Sequence, residues 1–273
     1  IEYISRFFDP IQQLAEQFDI LQSAIAASEK IFTLLDEENP IVESAQPLQR
    51  EKFVGEIEFR NVWFAYHGEE WVLKDVSFKA LPGESLAFVG ATGAGKTSIL
   101  NLINRYYDIQ KGDILVDGIS IKDYDLKTLR RNIGQMQQDV FMFTGDILSN
   151  ITLKNEWITE EEAVACAKYV NAHDFIKRLP GGYKEHVYER GATFSAGQRQ
   201  LVSFARTLAM KPSILVLDEA TSNIDTETEV LIQDALAKLM KGRTTLVVAH
   251  RLSTIQHADK IIVLHKGRIK EIG

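Results

Sequence analysis

The segment GATGAGKT, Gly90 to Thr97, has the residue types and spacing to bind phosphate. It follows the apolar, strand-like segment SLAFVG and opens a helical segment. Glycines let backbone N–H groups curl around phosphates, and the N-terminus of the following helix adds a favourable dipole. The Lys96 ammonium would contact the β- and γ-phosphates of a nucleotide, and the Thr97 hydroxyl would bind Mg²⁺. The expected nucleotide-binding residues here are Gly90, Ala91, Thr92, Gly93, Ala94, Gly95, Lys96, Thr97 and Ser98.

Two acidic residues end a second strand-like segment, ILVLDEA. Its apolar residues predict a buried strand that delivers Asp218 and Glu219 at its carboxyl end, where ligands of open α/β sheets bind. Asp218 suits Mg²⁺, and Glu219 suits the polarising of an attacking water. Taken alone, the two acids could instead cap the next helix. The phosphate-binding segment favours the metal and water roles.

Polar and aromatic side chains end three further strand-like segments. His250 ends TTLVVAH, where a neutral imidazole could hydrogen-bond a γ-phosphate and hold the attacking water. A lone histidine at a strand end is more often structural, but parallel strands that end in DE and H can point at the same crevice, which favours the catalytic role here. Gln138 could reach Mg²⁺ or water with its amide, but Gln135 and Gln137 are close by. Tyr66 ends VWFAY and could stack on an adenine, although core packing is the commoner role of such an aromatic.

The segment FSAGQRQ, residues 194–200, is a second small-residue turn that runs into a helical pattern. It is typical of a helix N-terminus that holds an anion, with the Ser195 side chain and the Gly197 amide as donors. A single nucleotide bound at Lys96 does not explain why a second such turn is present.

The elements that must position these motifs predict an α/β protein. Apolar residues at spacings of three and four predict a long helix over residues 1–35, and an acidic, proline-containing connection follows. GEIEFRNVWFAY and WVLKDVSFKA then alternate as strands. From SLAFVG onward strands and helices take turns, which predicts a central sheet with a parallel portion. Residues 145–210 are expected to form an inserted helical subdomain.

The composition favours a globular protein whose partner is not nucleic acid. The 273 residues include 45% hydrophobic and 25% charged residues, with a formal net charge of -7, and no Lys/Arg block stands out. The single cysteine, Cys166, suits a reducing compartment and a core position. Neither a membrane-spanning run nor a signal peptide is evident, so we expect these residues by themselves to be soluble and cytosolic.

Together these motifs resemble those of the nucleotide-binding domain of an ATP-binding cassette (ABC) exporter. GATGAGKT is similar to the Walker A motif, ILVLDE to Walker B, and FSAGQ to the signature motif, usually LSGGQ. Gln138 matches the Q-loop glutamine, His250 the switch histidine and Tyr66 the adenine-stacking aromatic. Asp225 ends TSNID, which is similar to the D-loop. The likeness covers about residues 52–273, in the family's motif order.

The resemblance implies a P-loop NTPase fold of the ABC type, with a RecA-like core, an antiparallel β subdomain and an inserted helical subdomain. Residues 1–38 would be the cytoplasmic end of the last transmembrane helix, residues 39–51 a linker, and residues 52–273 the nucleotide-binding domain. Transmembrane domains of the same chain would then place this domain at the cytoplasmic face of the inner membrane.

The resemblance also implies a use for the second turn. In this family two domains associate head to tail, and each ATP is held with Mg²⁺ between Walker A of one domain and the signature of the other, so that hydrolysis powers export. Ser195, Gly197 and Gln198 would contact the partner's ATP. The implied catalytic residues are Glu219, His250 and Gln138. The implied Mg²⁺ ligands are Thr97, Gln138 and Asp218.

Three positions depart from the family pattern. Phe194 and Ala196 replace leucine and glycine in the signature, and Tyr188 stands where glycine is more usual in YKEHVYERG, which resembles the exporter X-loop. The Ala196 Cβ would hinder a close approach to phosphate, with a strain of roughly 1 kcal/mol if the position needs positive φ. A weak signature beside an intact Glu219 resembles one half of a heterodimeric exporter and implies a non-identical partner. A homodimer stays open.

Two other classes of protein compete with the exporter. The ATPase heads of chromosome-maintenance and DNA-repair proteins carry a signature motif too, but a very long coiled coil separates their Walker motifs, and the acidic charge here argues against DNA. A non-hydrolysing, ATP-gated scaffold would lack the base, whereas Glu219 is present.

Overall fold

A computed structural model describes residues 2–37, 41–137, 139–218, 226–248, 256 and 258–273. The chain divides into two compact units, residues 1–42 and residues 43–273. The described helices and strands, in chain order, are α1 (Glu2–Leu35), β1 (Ile57–Ala65), β2 (Trp71–Ala80), β3 (Ser85–Val89), α2 (Lys96–Ile103), β4 (Lys111–Val116), β5 (Ile119–Ser120), α3 (Leu126–Asn132), β6 (Ile133–Met136), β7 (Gly145–Asp146), α4 (Ile147–Thr152), α5 (Glu160–Tyr169), α6 (His173–Arg178), β8 (His186–Val187), α7 (Ala196–Ala209), β9 (Ile214–Asp218), α8 (Thr226–Met240), β10 (Thr244–Val248), β11 (Lys260–His265) and β12 (Arg268–Ile272).

A largely parallel sheet forms the centre of the second unit. Over the described residues it has six strands in the order β12-β11-β3-β10-β9-β6. The pairs from β11 to β6 are parallel, and β12 adds an antiparallel edge. β3, β9 and β10 are almost continuous apolar runs because both faces of the sheet are covered. The predicted parallel core is therefore present.

Alternate residues of the same strands build two separate hydrophobic cores. Ile214 and Val216 of β9 pack into the core that also contains residues of β1 and β2. Leu215 and Leu217 point to the other face and pack with residues of α4, α5, α7 and α8. This alternation follows from the two-residue repeat of a strand.

An antiparallel sheet in the order β2-β1-β4-β5 lies beside the parallel one and matches the predicted strands. Asp117, in the turn between β4 and β5, fixes the chain that enters this sheet. Its carboxylate accepts hydrogen bonds of 2.7, 2.8 and 2.9 Å from the backbone N–H groups of residues 54–56. It also pairs with Arg50 at 3.2 Å. The C-terminal end of the expected linker is thus held by side chains of the cassette.

The segment 145–210 is mainly helical, as expected. Arg206 of α7 donates to the backbone carbonyls of Asn150 at 2.8 Å and of Phe141 at 3.1 Å, and to the Asn150 side chain at 3.1 Å. Burial lowers the pKa of the Arg206 guanidinium. These bonds hold the chain that follows Gln138 against the helix that begins after Ser195.

The first unit contains the predicted long helix. α1 includes Pro10 and carries large apolar side chains that are exposed along its length. Among the residues that the structure describes, no helix is both long enough and apolar enough to cross a membrane.

Candidate nucleotide-binding site

The backbone of the phosphate loop depends on its glycines. Gly90, Gly93 and Gly95 have φ values of 155°, 79° and 100°. A Cβ on Gly90 would collide with the carbonyl oxygen of Leu264, and a Cβ on Gly95 would lie 2.6 Å from a methyl carbon of Leu73. The loop is therefore built between β2 and β11, and only glycine fits these two positions.

Lys96 and Thr97 begin α2 immediately after this loop. The Lys96 ammonium is buried and donates to the carbonyl oxygens of Gly90 at 2.7 Å and Ala91 at 3.1 Å. The Thr97 hydroxyl lies 3.3 Å from Oδ2 of Asp218, the last residue of β9. Hydroxyl and carboxylate oxygens are ligands that Mg²⁺ accepts. The residues present thus fit an Mg²⁺ ion beside the phosphate loop.

Strand register brings Asp218 and the phosphate loop to the same edge of the sheet. Val248, which ends β10, pairs with Asp218 on one side and with Phe88 of β3 on the other. The chain after β3 forms the phosphate loop. The phosphate loop and Asp218 therefore lie at the carboxyl ends of parallel strands, β3 and β9, that flank β10.

Tyr66 lies one residue beyond the end of β1 and close to the phosphate loop. Its hydroxyl is 3.0 Å from the Ser98 hydroxyl, and its ring is perpendicular to that of Tyr107, with centroids 5.0 Å apart. It is 41% exposed, so it is not a core residue. Sequence reasoning missed Tyr107, because nothing local in RYYD connects this residue with Tyr66.

The signature turn begins α7 with a reciprocal cap. The Ser195 side chain accepts from the Gln198 backbone at 3.2 Å, and the Gln198 side chain accepts from the Ser195 backbone at 3.0 Å. Across the described part of the chain, no hydrogen bond joins these residues to the phosphate loop. Gly197 is buried in the first turn of the helix. The two turns also pack into different hydrophobic cores, Ala94 of the phosphate loop in one and Phe194 beside Ser195 in the other, so these predicted anion-binding turns are separate within this chain.

The departures in the signature have different local consequences. Phe194 is buried and belongs to the core under α7. Ala196 is exposed and is the first residue of α7, and it is absent from the positive-φ residues. The condition for backbone strain at Ala196 is therefore not met. Its exposed Cβ at the start of α7 remains as the difference from glycine.

Four predicted site residues, Gln138, Glu219, Asp225 and His250, lie outside the described residues. Their roles stay predictions.

A glycine-rich loop between a strand of a parallel sheet and a helix, with an acid at the end of another strand of the same sheet, defines a P-loop nucleotide-binding protein. The family model for ABC transporters matches residues 73–222, more than half of the chain. The chain therefore belongs to the ABC transporter family, and it is an ATPase domain of that family. The resemblance predicted from its motifs is confirmed.

The chain is similar to several ABC exporters. A probable multidrug resistance ABC transporter ATP-binding/permease protein of Bacillus subtilis, YheH, is 50% identical over 100% of this chain and 40% of its own length. An ATP-dependent lipid A-core flippase of Syntrophus aciditrophicus is 43% identical over 97% of this chain and 44% of its own length.

A solved structure, that of a bacterial Atm1-family ABC exporter with ATP bound, superimposes with a TM-score of 0.82 at 36% identity. The superposition covers 99% of this chain and 47% of the exporter chain. The predicted cassette fold is thereby confirmed. The chain spans less than half the length of these relatives.

Proposed function

We propose that this domain hydrolyses ATP with Mg²⁺ at a head-to-tail interface with a second nucleotide-binding domain, and that hydrolysis powers export across a membrane. The observation that carries the proposal is the separation of the two anion-binding turns. Lys96 and the signature turn at Ser195 share no hydrogen bond in the described part of the chain. A signature turn directed at another domain's ATP gives both turns a function.

The residues of the phosphate loop have distinct roles in this proposal. Lys96, which the carbonyls of Gly90 and Ala91 hold in the loop, neutralises the β- and γ-phosphates. Thr97 and Asp218 supply oxygen ligands to Mg²⁺, which neutralises phosphate charge when bound. Gln138 would complete this ligand set.

Glu219 takes the proton of the attacking water, and His250 orients that water. The Ser195 hydroxyl, the Gly197 amide and the N-terminus of α7 would stabilise the γ-phosphate charge of the partner's ATP, together with Gln198. Asp225 would lie at the same interface.

We further propose that α1 is the cytoplasmic continuation of a transmembrane helix, which places the domain at the inner face of the membrane. The relative YheH is a probable ATP-binding/permease protein that is more than twice as long as this chain. Transmembrane domains of the same chain would cover the exposed apolar side chains of α1.

The partner domain is proposed to be non-identical. The Ala196 Cβ is exposed at the start of α7, where a partner's γ-phosphate would approach. An impaired signature lowers ATPase activity little if the ATP that it contacts lies in a site that lacks the catalytic base. The intact Glu219 of this chain would then require a regular signature from its partner.

Coexpression tests both the reaction and the partner. We expect the full-length protein to show Mg²⁺-dependent ATPase activity, unaffected by DNA, only when it is expressed with the product of the neighbouring gene. Ala196→Gly should then change activity little, because the site that it improves lacks a base. Full activity of the protein alone, raised by Ala196→Gly, would instead establish a homodimer, and stimulation by DNA would contradict the exporter function.

Replacing Tyr66 by alanine should weaken nucleotide binding by about 1 to 3 kcal/mol, the usual worth of a base–aromatic stack. Turnover at saturating ATP should persist, because the phosphate contacts remain. Equilibrium binding of ATP to the chain measures the effect. An unchanged dissociation constant would remove Tyr66 from the nucleotide site.

A further inference from the structure

We propose that Tyr107 and Gln110 are positioning residues that hold the Tyr66 ring ready for the base of the nucleotide. The inference rests on the proposed function, in which Tyr66 stacks on adenine. It adds the residues that keep this ring in place before ATP arrives.

Tyr66 needs such support because of its place in the chain. β1 ends at Ala65, and Tyr66 lies in the bend that follows. An exposed aromatic side chain just past a strand end can adopt several rotamers, and fixing one of them on binding lowers affinity. A ring that is already fixed avoids that cost.

Three contacts fix the side chain of Tyr66. The ring of Phe64, in β1, packs edge-on against it, with centroids 4.7 Å apart at an interplanar angle of 79°. Its hydroxyl lies 3.0 Å from the hydroxyl of Ser98, at the start of α2. The Tyr107 ring packs perpendicular to it, at an interplanar angle of 88°. Tyr107 also contacts Phe64, a buried residue of β1, with centroids 5.7 Å apart. Tyr66 is therefore held at its hydroxyl by α2 and at its ring by Phe64 and Tyr107, of which only Tyr107 lies outside β1.

Gln110 fixes the backbone just before Tyr66. Its side-chain amide donates to the Ala65 carbonyl at 2.9 Å and accepts from the Ala65 N–H at 3.0 Å. Its own backbone N–H donates to the Trp63 carbonyl at 3.2 Å. One side chain thus makes both bonds that a neighbouring strand would offer to the last residue of β1.

Both residues belong to the connection between α2 and β4, and α2 begins at Lys96. One continuous stretch of chain therefore carries the phosphate-binding lysine at its start and the two supports of the base-binding ring at its end.

The test compares a ligand that has a base with one that lacks it. Dissociation constants for ATP and for inorganic tripolyphosphate are measured for Tyr107→Ala and Gln110→Ala in the 273-residue chain. For Tyr107→Ala we expect ATP affinity to fall about two- to tenfold, the usual worth of a perpendicular aromatic pair. Gln110→Ala should also lower ATP affinity. The affinity for tripolyphosphate should stay unchanged in both variants. A distorted phosphate loop would instead weaken the binding of ATP and of tripolyphosphate.

Three further comparisons separate positioning from general damage. Adding Tyr107→Ala to Tyr66→Ala should cause no further loss, because Tyr107 acts through Tyr66. Tyr107→Phe should retain affinity. Tyr106→Ala is the matched control, because Tyr106 is similarly exposed but donates its hydroxyl to the Gln135 side chain instead.

Two outcomes would overturn the inference, and they differ in what else they affect. If Tyr66→Ala weakens ATP binding but Tyr107→Ala and Gln110→Ala do not, Tyr107 and Gln110 do not position Tyr66. The proposed stacking of Tyr66 on adenine is then still supported. If Tyr66→Ala itself has no effect, the base stack in the proposed function fails, and this inference fails with it.

Discussion

Replacing Glu219 by glutamine is expected to slow ATP hydrolysis by roughly 10²- to 10⁴-fold, the usual contribution of a general base. The amide keeps the shape of the side chain but cannot take the proton of the attacking water. Glu219 directly follows Asp218, whose carboxylate lies 3.3 Å from the Thr97 hydroxyl. ATP binding should therefore survive, because the phosphate loop and the Mg²⁺ ligands are unchanged.

The measurement has two parts, carried out with the partner domain present. Single-turnover hydrolysis gives the rate of the chemical step, and light scattering with Mg²⁺ and ATP gives the association state. We expect the variant to accumulate as an ATP-bound dimer. Glu271→Gln is the control, because Glu271 is exposed on β12. The substitution makes the same chemical change outside the site. Hydrolysis near the parent rate would show that Glu219 is not the base.

The phosphate loop could be predicted from the sequence because its chemistry is local. Strand, glycine-rich turn and helix succeed one another within GATGAGKT and its flanks, and the same short stretch supplies the backbone donors, Lys96 and Thr97. Asp218 could be placed as well, since a buried run such as ILVL predicts a central strand and parallel strands present their ends together.

The supports of the site could not be predicted, because they depend on contacts between distant parts of the sequence. Gln110 bonds Ala65 across 45 positions, and Asp117 bonds Val54 across 63. In the sequence both are polar residues near turns, with no pattern that identifies a partner. Their roles follow from the strand pairing of the antiparallel sheet, which brings them beside β1.

The backbone at Ala196 illustrates a second limit. A residue that replaces glycine suggests positive φ only if the original glycine was needed for its conformation. Ser195 caps α7, which makes Ala196 the first helical residue and gives it ordinary helical geometry. The remaining effect of Ala196 is the space that its Cβ takes from a ligand. In the proposed function that ligand is bound by a partner domain, so the sequence of a single chain does not reveal it.

The second large effect is expected at Gly90. A Cβ there would collide with the backbone carbonyl of Leu264 in β11, and no rotamer change relieves a backbone collision. Overpacking typically costs about 1 to 3 kcal/mol, and left-handed backbone strain adds about 1 to 2. Gly90→Ala should therefore lower ATP affinity by roughly 30- to 5,000-fold, which corresponds to about 2 to 5 kcal/mol.

Gly118→Ala separates the collision from the backbone strain. Gly118 has a φ of 79°, and a Cβ there would meet nothing within 4 Å. This control should lower the free energy of unfolding by about 1 kcal/mol and leave ATP binding unchanged. Urea unfolding and equilibrium ATP binding of the two variants distinguish these effects. If Gly90→Ala binds ATP like the parent, the phosphate loop does not need its close approach to β11, because a collision with Leu264 would have displaced the backbone amides that hold the phosphates.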